Sequence, residues 1–519
     1  MVGAAFFLLL VCGLVIAAIL LRPVLFKEPE ADTPGLEIDA ESADFYRTPA
    51  EQGNATAQDE LAVMYLAGTG GIAKDDVEAV RWLRKAAEQG KPRAQFNLGV
   101  MYRDARGGLS KDAAEALAWF RKAAEQGHIR AQFNLGLIYS HGADGVARND
   151  VEAVQWYRRA ADQGYPGAQN NLGIMYDNGL GGLPKDAAAA VEWYKKSAEG
   201  GDADAQFNLG SAYENGRGGL TRDDVEAAKW FRKAADQEQA TAAYRLGLMS
   251  LDGRGGVSQD AAEAVKWFRK AAEWGNADSQ NGLALSYYQG SGGVEHDEAE
   301  AAKWFRKAAD QGHKIAGYYL ALMYWKGRGG LPEDQREAVK WFQKAAEQGY
   351  PPAQHELGLK YFNGSGGLDR DEAEALKWWR KAAEQGDGDA QSDIGYMYKE
   401  GRGGLKKDEA EAVKWFRKGA EQGSAIAQHN LGLTYKLGGG GLKKNETEAV
   451  AWFRKAAEQR YAASQYQLGW MYEQGRGGLA RDMDEARKWY RLAAEQGDSN
   501  AQQALKSRFG EESGGTPSD

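Results

Sequence analysis

The chain has 519 residues and a formal net charge of −9, with 74 acidic residues interleaved among 65 basic ones. Because the basic residues form no separate block, the charge pattern argues against nucleic acid as the main ligand. The single cysteine, Cys12, excludes a disulfide framework and a cysteine-based zinc site in the rest of the chain. The stability of the protein must therefore come from packing.

Residues 1–22 begin the chain with an apolar segment. No side chain from residue 2 to residue 21 is charged, and twenty helical residues span about 30 Å, the thickness of the hydrocarbon core of a bilayer. The segment predicts an uncleaved transmembrane anchor. A cleaved signal peptide ending near Ala17 is the alternative, although no basic residue precedes the apolar run.

Residues 23–40 form an acidic linker with Pro29 and Pro34, which we expect to be extended or disordered. Beyond it, tryptophan recurs every 37 residues, which identifies a solenoid of stacked repeats. We count twelve repeats over residues 57–500. The tryptophans are Trp82, Trp119, Trp156, Trp193, Trp230, Trp267, Trp304, Trp341, Trp378, Trp415, Trp452 and Trp489.

Both ends of the array differ from its middle. Residues 41–56 match part of a repeat, with Phe45 at the tryptophan position, and are expected to cap the core as a degenerate half-repeat. Residues 501–519 are expected to form a partial repeat helix and a disordered tail.

Each repeat encodes two amphipathic helices. In the second repeat, residues 94–102 carry apolar side chains at i, i+4 and i+8, and residues 116–123 carry them at i, i+3, i+4 and i+7. The fold class is therefore an all-α solenoid of 37-residue helix–turn–helix repeats. The invariant tryptophan predicts a large buried aromatic side chain in every second helix.

The ends of the second helices are also encoded. Their N-cap position is Asp or Asn in all twelve repeats, and Glu follows three residues later in eleven, which predicts a capping box. At the C-terminal end, Gly90 and its equivalents occupy a position that needs positive φ. Glu238 and Arg460 replace this glycine in two repeats, so we expect those turns to be strained or rebuilt.

The repeated motifs Ala-Gln-x-x-Leu-Gly-x-x-Tyr, Gly-x-Gly-Gly and Glu-Ala-x-x-Trp-x-x-Lys-Ala-Ala-Glu-Gln-Gly resemble the Sel-one-like repeat, a relative of the tetratricopeptide repeat. The resemblance covers residues 41–506. It implies a right-handed superhelix whose first helices line the concave side, and a scaffold or adaptor that binds a protein or peptide partner. A purely structural spacer is the alternative.

Catalytic and cofactor-dependent functions find no support in the sequence. Some cysteine-rich relatives are described as penicillin-binding or β-lactam-hydrolysing, but this chain lacks their cysteines and has no S-x-x-K motif beside K-T-G. No paired histidines with metal-ligand spacing occur. We therefore expect no enzymatic activity, no metal and no cofactor.

A basic register on the second helices begins with Arg84, Arg121 and Arg158, and it could track an anionic polymer such as a cell-envelope polysaccharide. Four residues later each repeat carries Asp or Glu, as at Glu88. Because residues at i and i+4 are neighbours on a helix, we expect these charges to pair and neutralise the register.

The candidate binding residues lie on the first helices. The resemblance to tetratricopeptide arrays implies that the residue before Leu-Gly faces the groove and binds peptide backbone: Asn97, Asn134, Asn171, Asn208 and Asn430. A second set of large apolar side chains breaks the repeat pattern just after the tyrosine position: Leu251, Tyr288, Trp325 and Phe362. Tyr318 and Tyr319 are expected to lie beside them. The alternative is that these side chains fill local gaps left by Ser250 or Gly282.

The side of the membrane is predicted by conflicting signals. Arg22 and Lys27 follow the apolar segment and no basic residue precedes it, which favours a cytoplasmic array by the positive-inside rule. Long domains, however, are translocated largely regardless of flanking charge, and by resemblance such arrays are commonly exported. We expect an extracytoplasmic array, periplasmic if the protein is bacterial.

Overall fold

The computed structural model describes residues 43–143 and 145–511. This part of the chain contains 26 α-helices and no strand; its only extended pairings are two isolated bridges, Ala143 with Val146 and Gly439 with Leu442. The helices form two compact bodies. The N-terminal body holds the described residues up to Ala242 together with Gly253–Ser258, and the C-terminal body holds Ala243–Asp252 and the described residues from Gln259 onward.

The first eleven helices lie in the N-terminal body. They are α1 (Ala43–Glu51), α2 (Ala55–Ala67), α3 (Asp76–Glu88), α4 (Pro92–Arg103), α5 (Ala113–Glu125), α6 (Ile129–His141), α7 (Asp150–Asp162), α8 (Pro166–Asn178), α9 (Ala187–Glu199), α10 (Ala203–Asn215) and α11 (Asp224–Ala235).

The twelfth helix, α12 (Ala240–Asp252), is divided between the bodies, and the remaining helices belong to the C-terminal body. These are α13 (Ala261–Glu273), α14 (Ala277–Gln289), α15 (Glu298–Asp310), α16 (Lys314–Lys326), α17 (Gln335–Glu347), α18 (Pro351–Asn363), α19 (Glu372–Glu384), α20 (Gly388–Glu400), α21 (Glu409–Glu421), α22 (Ala425–Leu437), α23 (Glu446–Glu458), α24 (Ala462–Gln474), α25 (Met483–Ala494) and α26 (Ser499–Phe509).

Each repeat consists of an even-numbered first helix and the odd-numbered second helix that follows it, from α2–α3 to α24–α25. A first helix packs against the second helix of its own repeat and against that of the preceding repeat, as α4 does against α5 and α3. Neighbouring first helices also touch, for example α8 with α10 and α20 with α22. The predicted all-α repeat solenoid is confirmed.

Glycine on the first helix and an aromatic ring on the second set the distance between the two helices. A Cβ atom on Gly99 would lie 2.8 Å from the Phe120 ring, and one on Gly432 would lie 2.7 Å from the Phe453 ring. Contacts this short cannot form, so the ring rests directly on the glycine backbone. Phe120 and Phe453 are fully buried.

The tryptophan column is less buried than the sequence predicts. Four of its twelve side chains, among them Trp82 and Trp341, are buried, and the other eight are partly exposed. A cation three residues further along covers the ring in most repeats; the Nζ atom of Lys122 lies 3.8 Å from the Trp119 ring centroid. The prediction that every second helix buries its tryptophan is wrong for these eight repeats, because the next residue, an aromatic ring such as Phe120, takes the buried place.

The N-caps are confirmed, but the capping box is not. Asp75 accepts hydrogen bonds from the amides of Val77 and Glu78, as expected. Its own amide, however, donates to the carbonyl of Tyr65 at the end of the preceding helix, at 2.9 Å. The Glu78 carboxylate pairs instead with Arg81, three residues on. In every repeat the N-cap amide of the second helix donates to a carbonyl near the end of the first helix. The N-cap residue therefore also closes the turn between the two helices.

A glutamine relay joins three helices at each junction between repeats. The Gln95 side chain on α4 donates to the Ala87 carbonyl near the end of α3, at 3.1 Å, and accepts from the Gln126 side chain after α5, at 2.7 Å. Equivalent bonds recur along both bodies, for example from Gln459 to Gln428. The relay satisfies a buried carbonyl at the helix end and explains why Ala-Gln and Glu-Gln-Gly recur together.

The turns after the second helices behave as predicted. Gly90 adopts φ 87°, in the left-handed region, and its equivalents do the same. Glu238 and Arg460 keep this conformation, with φ 61° and 66°. These two turns are therefore strained rather than rebuilt, since a side chain with a Cβ atom is disfavoured there.

The helices at the two ends continue the repeat pattern. In α1, Ala43 and Ala50 are buried, and the Ala50 carbonyl accepts from Gln58 as Ala87 does from Gln95. At the other end, Asp498 caps α26 by accepting from the Ala501 amide.

Several sequence predictions concern residues outside the described part of the chain: the anchor over 1–22, the linker over 23–40, residues 41 and 42 of the cap, and residues 512–519 of the tail. No helix in residues 43–143 or 145–511 combines the length and the apolar character that a membrane crossing requires.

Replacing Phe453 with Ala should lower the free energy of unfolding by about 3–5 kcal/mol, because it empties a fully buried aromatic site against Gly432. Replacing the adjacent Trp452, which is partly exposed, should cost less. Chemical denaturation of the two variants, followed by circular dichroism, measures the difference. Hydrogen exchange should show the loss concentrated in α22–α24; equal costs, or equal deprotection of all repeats, would contradict this account.

Candidate protein-binding surface

Large apolar side chains follow one another across the first helices of the seventh to tenth repeats. On α16, Tyr319, Leu322 and Trp325 lie at three-residue spacing on one side of the helix, and all three are partly exposed. On the neighbouring first helices the Leu322 position holds Leu285, Leu359 and Tyr396, and the Trp325 position holds Tyr288 and Phe362. The Tyr319 position is not aromatic there. We define the apolar strip as eight residues that are partly or fully exposed: Leu285, Tyr288, Tyr319, Leu322, Trp325, Leu359, Phe362 and Tyr396.

The first rings of the strip are held from below by the core. The Tyr319 ring stacks on Phe305, with centroids 5.1 Å apart and planes 6° apart. Tyr288 lies 5.8 Å from Tyr319 and meets Phe305 edge-on at 6.3 Å. Burial raises the pKa of Tyr319 above its usual value. These contacts fix one edge of each tyrosine while leaving another edge accessible.

Each later ring of the strip is covered by a cation from the same or the following repeat. The Nζ atom of Lys360 lies 3.8 Å from the Trp325 ring centroid. Phe362 packs against the buried Trp379 at 5.4 Å, and the Arg402 guanidinium lies 4.4 Å from its ring. The side chains therefore both fill space between helices and remain partly exposed.

Two other candidates flank the strip. Tyr318 is partly buried between Phe342 and Tyr350, at centroid distances of 5.8 and 5.4 Å, and burial raises its pKa. Leu251 occupies the register of Tyr288 on α12 and is partly exposed. The sequence pattern did not single out four residues of the strip, Leu285, Leu322, Leu359 and Tyr396. Each lies three residues before the register of Tyr288, Trp325 and Phe362, one helical turn away.

The asparagine ladder requires correction. Asn97, Asn134 and Asn171 are buried, with exposed fractions of 0%, 3% and 3%, so their side chains do not line an open groove. Asn208 and Asn430 are partly exposed, and each donates to a side chain of the preceding first helix, Asn208 to Asn170 and Asn430 to Ser392. The register lies between neighbouring first helices, where contact with the adjacent repeat removes it from solvent.

The basic register of the second helices is not neutralised by the acidic residue four positions on, as the sequence predicted. Seven of its ten arginines instead donate to the tyrosine hydroxyl of the next repeat's first helix, as Arg84 does to Tyr102 at 3.2 Å and Arg158 does to Tyr176 at 2.8 Å. The prediction of i, i+4 pairing is wrong because the tyrosine 18 residues ahead lies closer to the guanidinium. This hydrogen bond links neighbouring repeats and directs the arginine side chains towards the next first helix.

The histidines have structural partners. His128 and His313 cap the first helices of their repeats by accepting from the amides of Ala131 and Ala316. His355 and His429 bond to side chains of the next repeat. Within the described ranges, no group of three or more His, Cys, Asp or Glu side chains is arranged to hold a metal ion.

The Sel1 repeat family model matches twelve consecutive segments of the chain. The chain belongs to the Sel1 repeat family. The first matched segment begins at residue 55, two residues before the start of the first repeat that the sequence pattern predicts. The matched segments are 55–91, 92–128, 129–165, 166–202, 203–238, 240–276, 277–313, 315–350, 351–387, 388–424, 425–461 and 462–498.

Solved structures of Sel1 repeat proteins resemble this one. A protective antigen present in uropathogenic Escherichia coli strains is 34% identical, covers 92% of this chain and 100% of its own, and has a TM-score of 0.66. A Sel1 repeat protein from Oxalobacter formigenes is 34% identical over 48% of this chain and 96% of its own, with a TM-score of 0.42. No curated protein matches the sequence.

Two histidines at the same register of the Sel1 repeat should give opposite pH dependences of stability. Burial alone would lower the pKa of His355, but the hydrogen bond and negative charge of Asp393, 2.8 Å away, raise it. His429 is partly buried beside Ser464, and this burial, with the charge of Lys436, lowers its pKa to about 4.

The stabilisation from His355 should be complete below about pH 6.5, the pKa of an unperturbed histidine, and should vanish as pH rises through the raised pKa. That from His429 should be complete above about pH 6.5 and should vanish as pH falls towards 4. Denaturation of His355→Gln and His429→Gln between pH 4 and 9 measures both differences from the unmodified protein. Parallel curves for the two variants would contradict the assignment.

Proposed function

We propose that the protein is a non-catalytic scaffold that binds a peptide or protein partner through the apolar strip. The observation that carries this proposal is the strip itself, in which eight large apolar side chains on four successive first helices are partly or fully exposed. Contiguous apolar surface of this kind is typical of interaction sites, and Tyr and Trp are enriched among the residues that dominate binding energy.

The packing beneath the strip supports this proposal. Phe305 and Trp379 hold Tyr319 and Phe362 from the core side, so little conformational entropy is lost when a partner covers their exposed edges. Leu251, Tyr318 and Asn430 are partly exposed residues of first helices in the same body as the strip and remain candidates for contacts at its margin.

Contacts between serine and histidine give no support to hydrolytic chemistry. His429 Nδ1 lies 2.8 Å from Ser464 Oγ, a distance suited to a nucleophile and its base. Ser464, however, is completely buried, so a substrate could not reach its hydroxyl. The pair serves to join α22 to α24, in keeping with the generally non-catalytic use of Sel1 solenoids.

Replacing Trp325 and Phe362 together with Ser should abolish partner binding, because it removes the two central rings of the strip. Co-purification from detergent-solubilised membranes, with quantitative mass spectrometry, measures this loss. The matched control is Trp304→Ser, which removes a partly exposed indole covered by Lys307 at 4.0 Å but lies on a second helix, outside the strip.

The control should reduce the melting temperature while retaining the partner. Equal loss of the partner in both variants would assign the effect to stability, and full retention in the double variant would refute the strip as the binding surface.

We also propose that residues 1–22 anchor the array to a membrane and that the array lies on the extracytoplasmic side. The uncharged segment from residue 2 to 21 supports anchoring. The description of the 34%-identical Escherichia coli protein as a protective antigen supports exposure outside the cytoplasm. Residues 23–40 would then be a linker between the anchor and the repeats.

Protease added to intact spheroplasts of a bacterium that expresses the protein should digest the repeats while sparing a cytoplasmic marker. Alkaline carbonate extraction should leave undigested protein in the membrane fraction. Protection of the array until the spheroplasts are lysed would place it in the cytoplasm, and release by carbonate would contradict the anchor.

A further inference from the structure

A loop arginine between the two helices of a repeat reaches back to the preceding repeat. In the N-terminal body, Arg217 Nη2 lies 2.6 Å from an Asp177 carboxylate oxygen. Arg254 reaches Glu214 at 3.3 Å and also Asp224 at 3.6 Å. Asp177 and Glu214 share the register that Tyr288, Trp325 and Phe362 occupy in the strip. In these two repeats the register therefore supplies the carboxylate partner of the arginine 40 residues further on.

At Tyr288 and Phe362 the arginine remains, as Arg328 and Arg402, but the carboxylate of that register is replaced by an aromatic ring. The position 40 residues after Trp325 is Ser365. Arg328 uses its Nε and Nη2 atoms for Glu298, at the start of α15. Its Nη1 atom donates to the hydroxyl of Tyr288, a residue of the strip, at 3.4 Å. The Arg328 side chain is 41% exposed, so this third edge of the guanidinium is open to a further acceptor.

Arg402 repeats the arrangement two repeats later. It binds Glu372 through Nε and Nη2, and these bonds, with that of Arg370, lower the pKa of Glu372 to about 2. Its Nη1 atom donates to the Tyr396 hydroxyl at 3.3 Å, and its guanidinium lies over Phe362. Both arginines therefore place one N–H edge beside an exposed ring.

We propose that the partner is an extended segment of another protein that supplies two carboxylates, one to the outer edge of Arg328 and one to that of Arg402, with a large apolar side chain between them. This inference rests on the proposed binding function of the strip. The segment is acidic because, in two other repeats of this chain, the loop arginine binds a carboxylate, that of Asp177 or Glu214. It is also apolar because the strip lies between the two arginines.

The repeat spacing sets the separation of the two carboxylates. Packed helices lie about 8–10 Å apart, so arginines two repeats apart are separated by about 16–20 Å. An extended chain advances about 3.3 Å per residue, which corresponds to about five or six residues. The segment should therefore carry acidic residues five or six positions apart, with Trp325 and Phe362 facing the apolar residue between them.

Selection of random twelve-residue peptides displayed on phage, against the full-length protein in detergent, tests the inference without a known partner. The enriched peptides should carry two Asp or Glu residues five or six positions apart and a large apolar residue between them. A synthetic peptide of the enriched sequence should bind at least about tenfold more weakly to Arg328→Gln or Arg402→Gln, since each loses a hydrogen bond to a charged group.

The control variant is Arg106→Gln, which removes the equivalent loop arginine and its pair with Asp76 at 2.8 Å but lies in the N-terminal body. It should match the strip variants in melting temperature and bind the peptide normally. Raising the salt concentration should weaken peptide binding to the unmodified protein more than to a variant that carries both Arg328→Gln and Arg402→Gln.

The outcomes separate this inference from the proposed function. Peptides that lose binding with Trp325→Ser but show no acidic preference would overturn the acidic partner and leave the strip intact. Peptides unaffected by Trp325→Ser, or no enrichment at all, would overturn the strip as a peptide-binding surface. Strong binding of a peptide spanning this chain's own acidic residues 28–39, in place of the selected pattern, would assign the strip to a second copy.

Discussion

The contact between a glycine backbone and an aromatic ring is the constraint on which the rest of the array depends. At Gly99 and Phe120, or Gly432 and Phe453, no Cβ atom fits between the two helices of a repeat. In these repeats the ring rests on the glycine backbone, and each second helix presents its other side to the next repeat. Ala284 and Ala321 replace the glycine in two adjacent repeats, and it is there that Tyr319 stacks on Phe305 at the start of the strip.

Polar groups in this array mostly bind the neighbouring repeat, which explains why so many of them recur. Gln95 joins two second helices, Arg84 donates to the next tyrosine, and the Asp75 amide closes the preceding turn. Each bond satisfies a group that packing has removed from water. The array is stabilised through nearest neighbours, and these repeated polar groups bind within it.

Positions that these bonds do not require are free to vary, and the apolar strip occupies such positions. The register of Trp325 holds Asp177 and Glu214 in the N-terminal body, where loop arginines bind them. Where the register holds Tyr288 or Phe362, the arginine is retained and lies beside a partly exposed ring. A solenoid can accept this change because each repeat packs only against its neighbours, so the substitution leaves distant repeats undisturbed.

The sequence alone determined the helical solenoid, the twelve repeats, the N-caps and the location of the two unusual turns at Glu238 and Arg460, because these depend on local periodicity and backbone conformation. Only the tertiary structure decided which aromatic is buried, since Trp119 and Phe120 are adjacent and equally apolar. The tertiary structure also shows that Asn97 is buried and that Arg84 donates to the hydroxyl of Tyr102 instead of pairing with Glu88. Those outcomes depend on the distance between neighbouring repeats, which a pattern within one repeat does not contain.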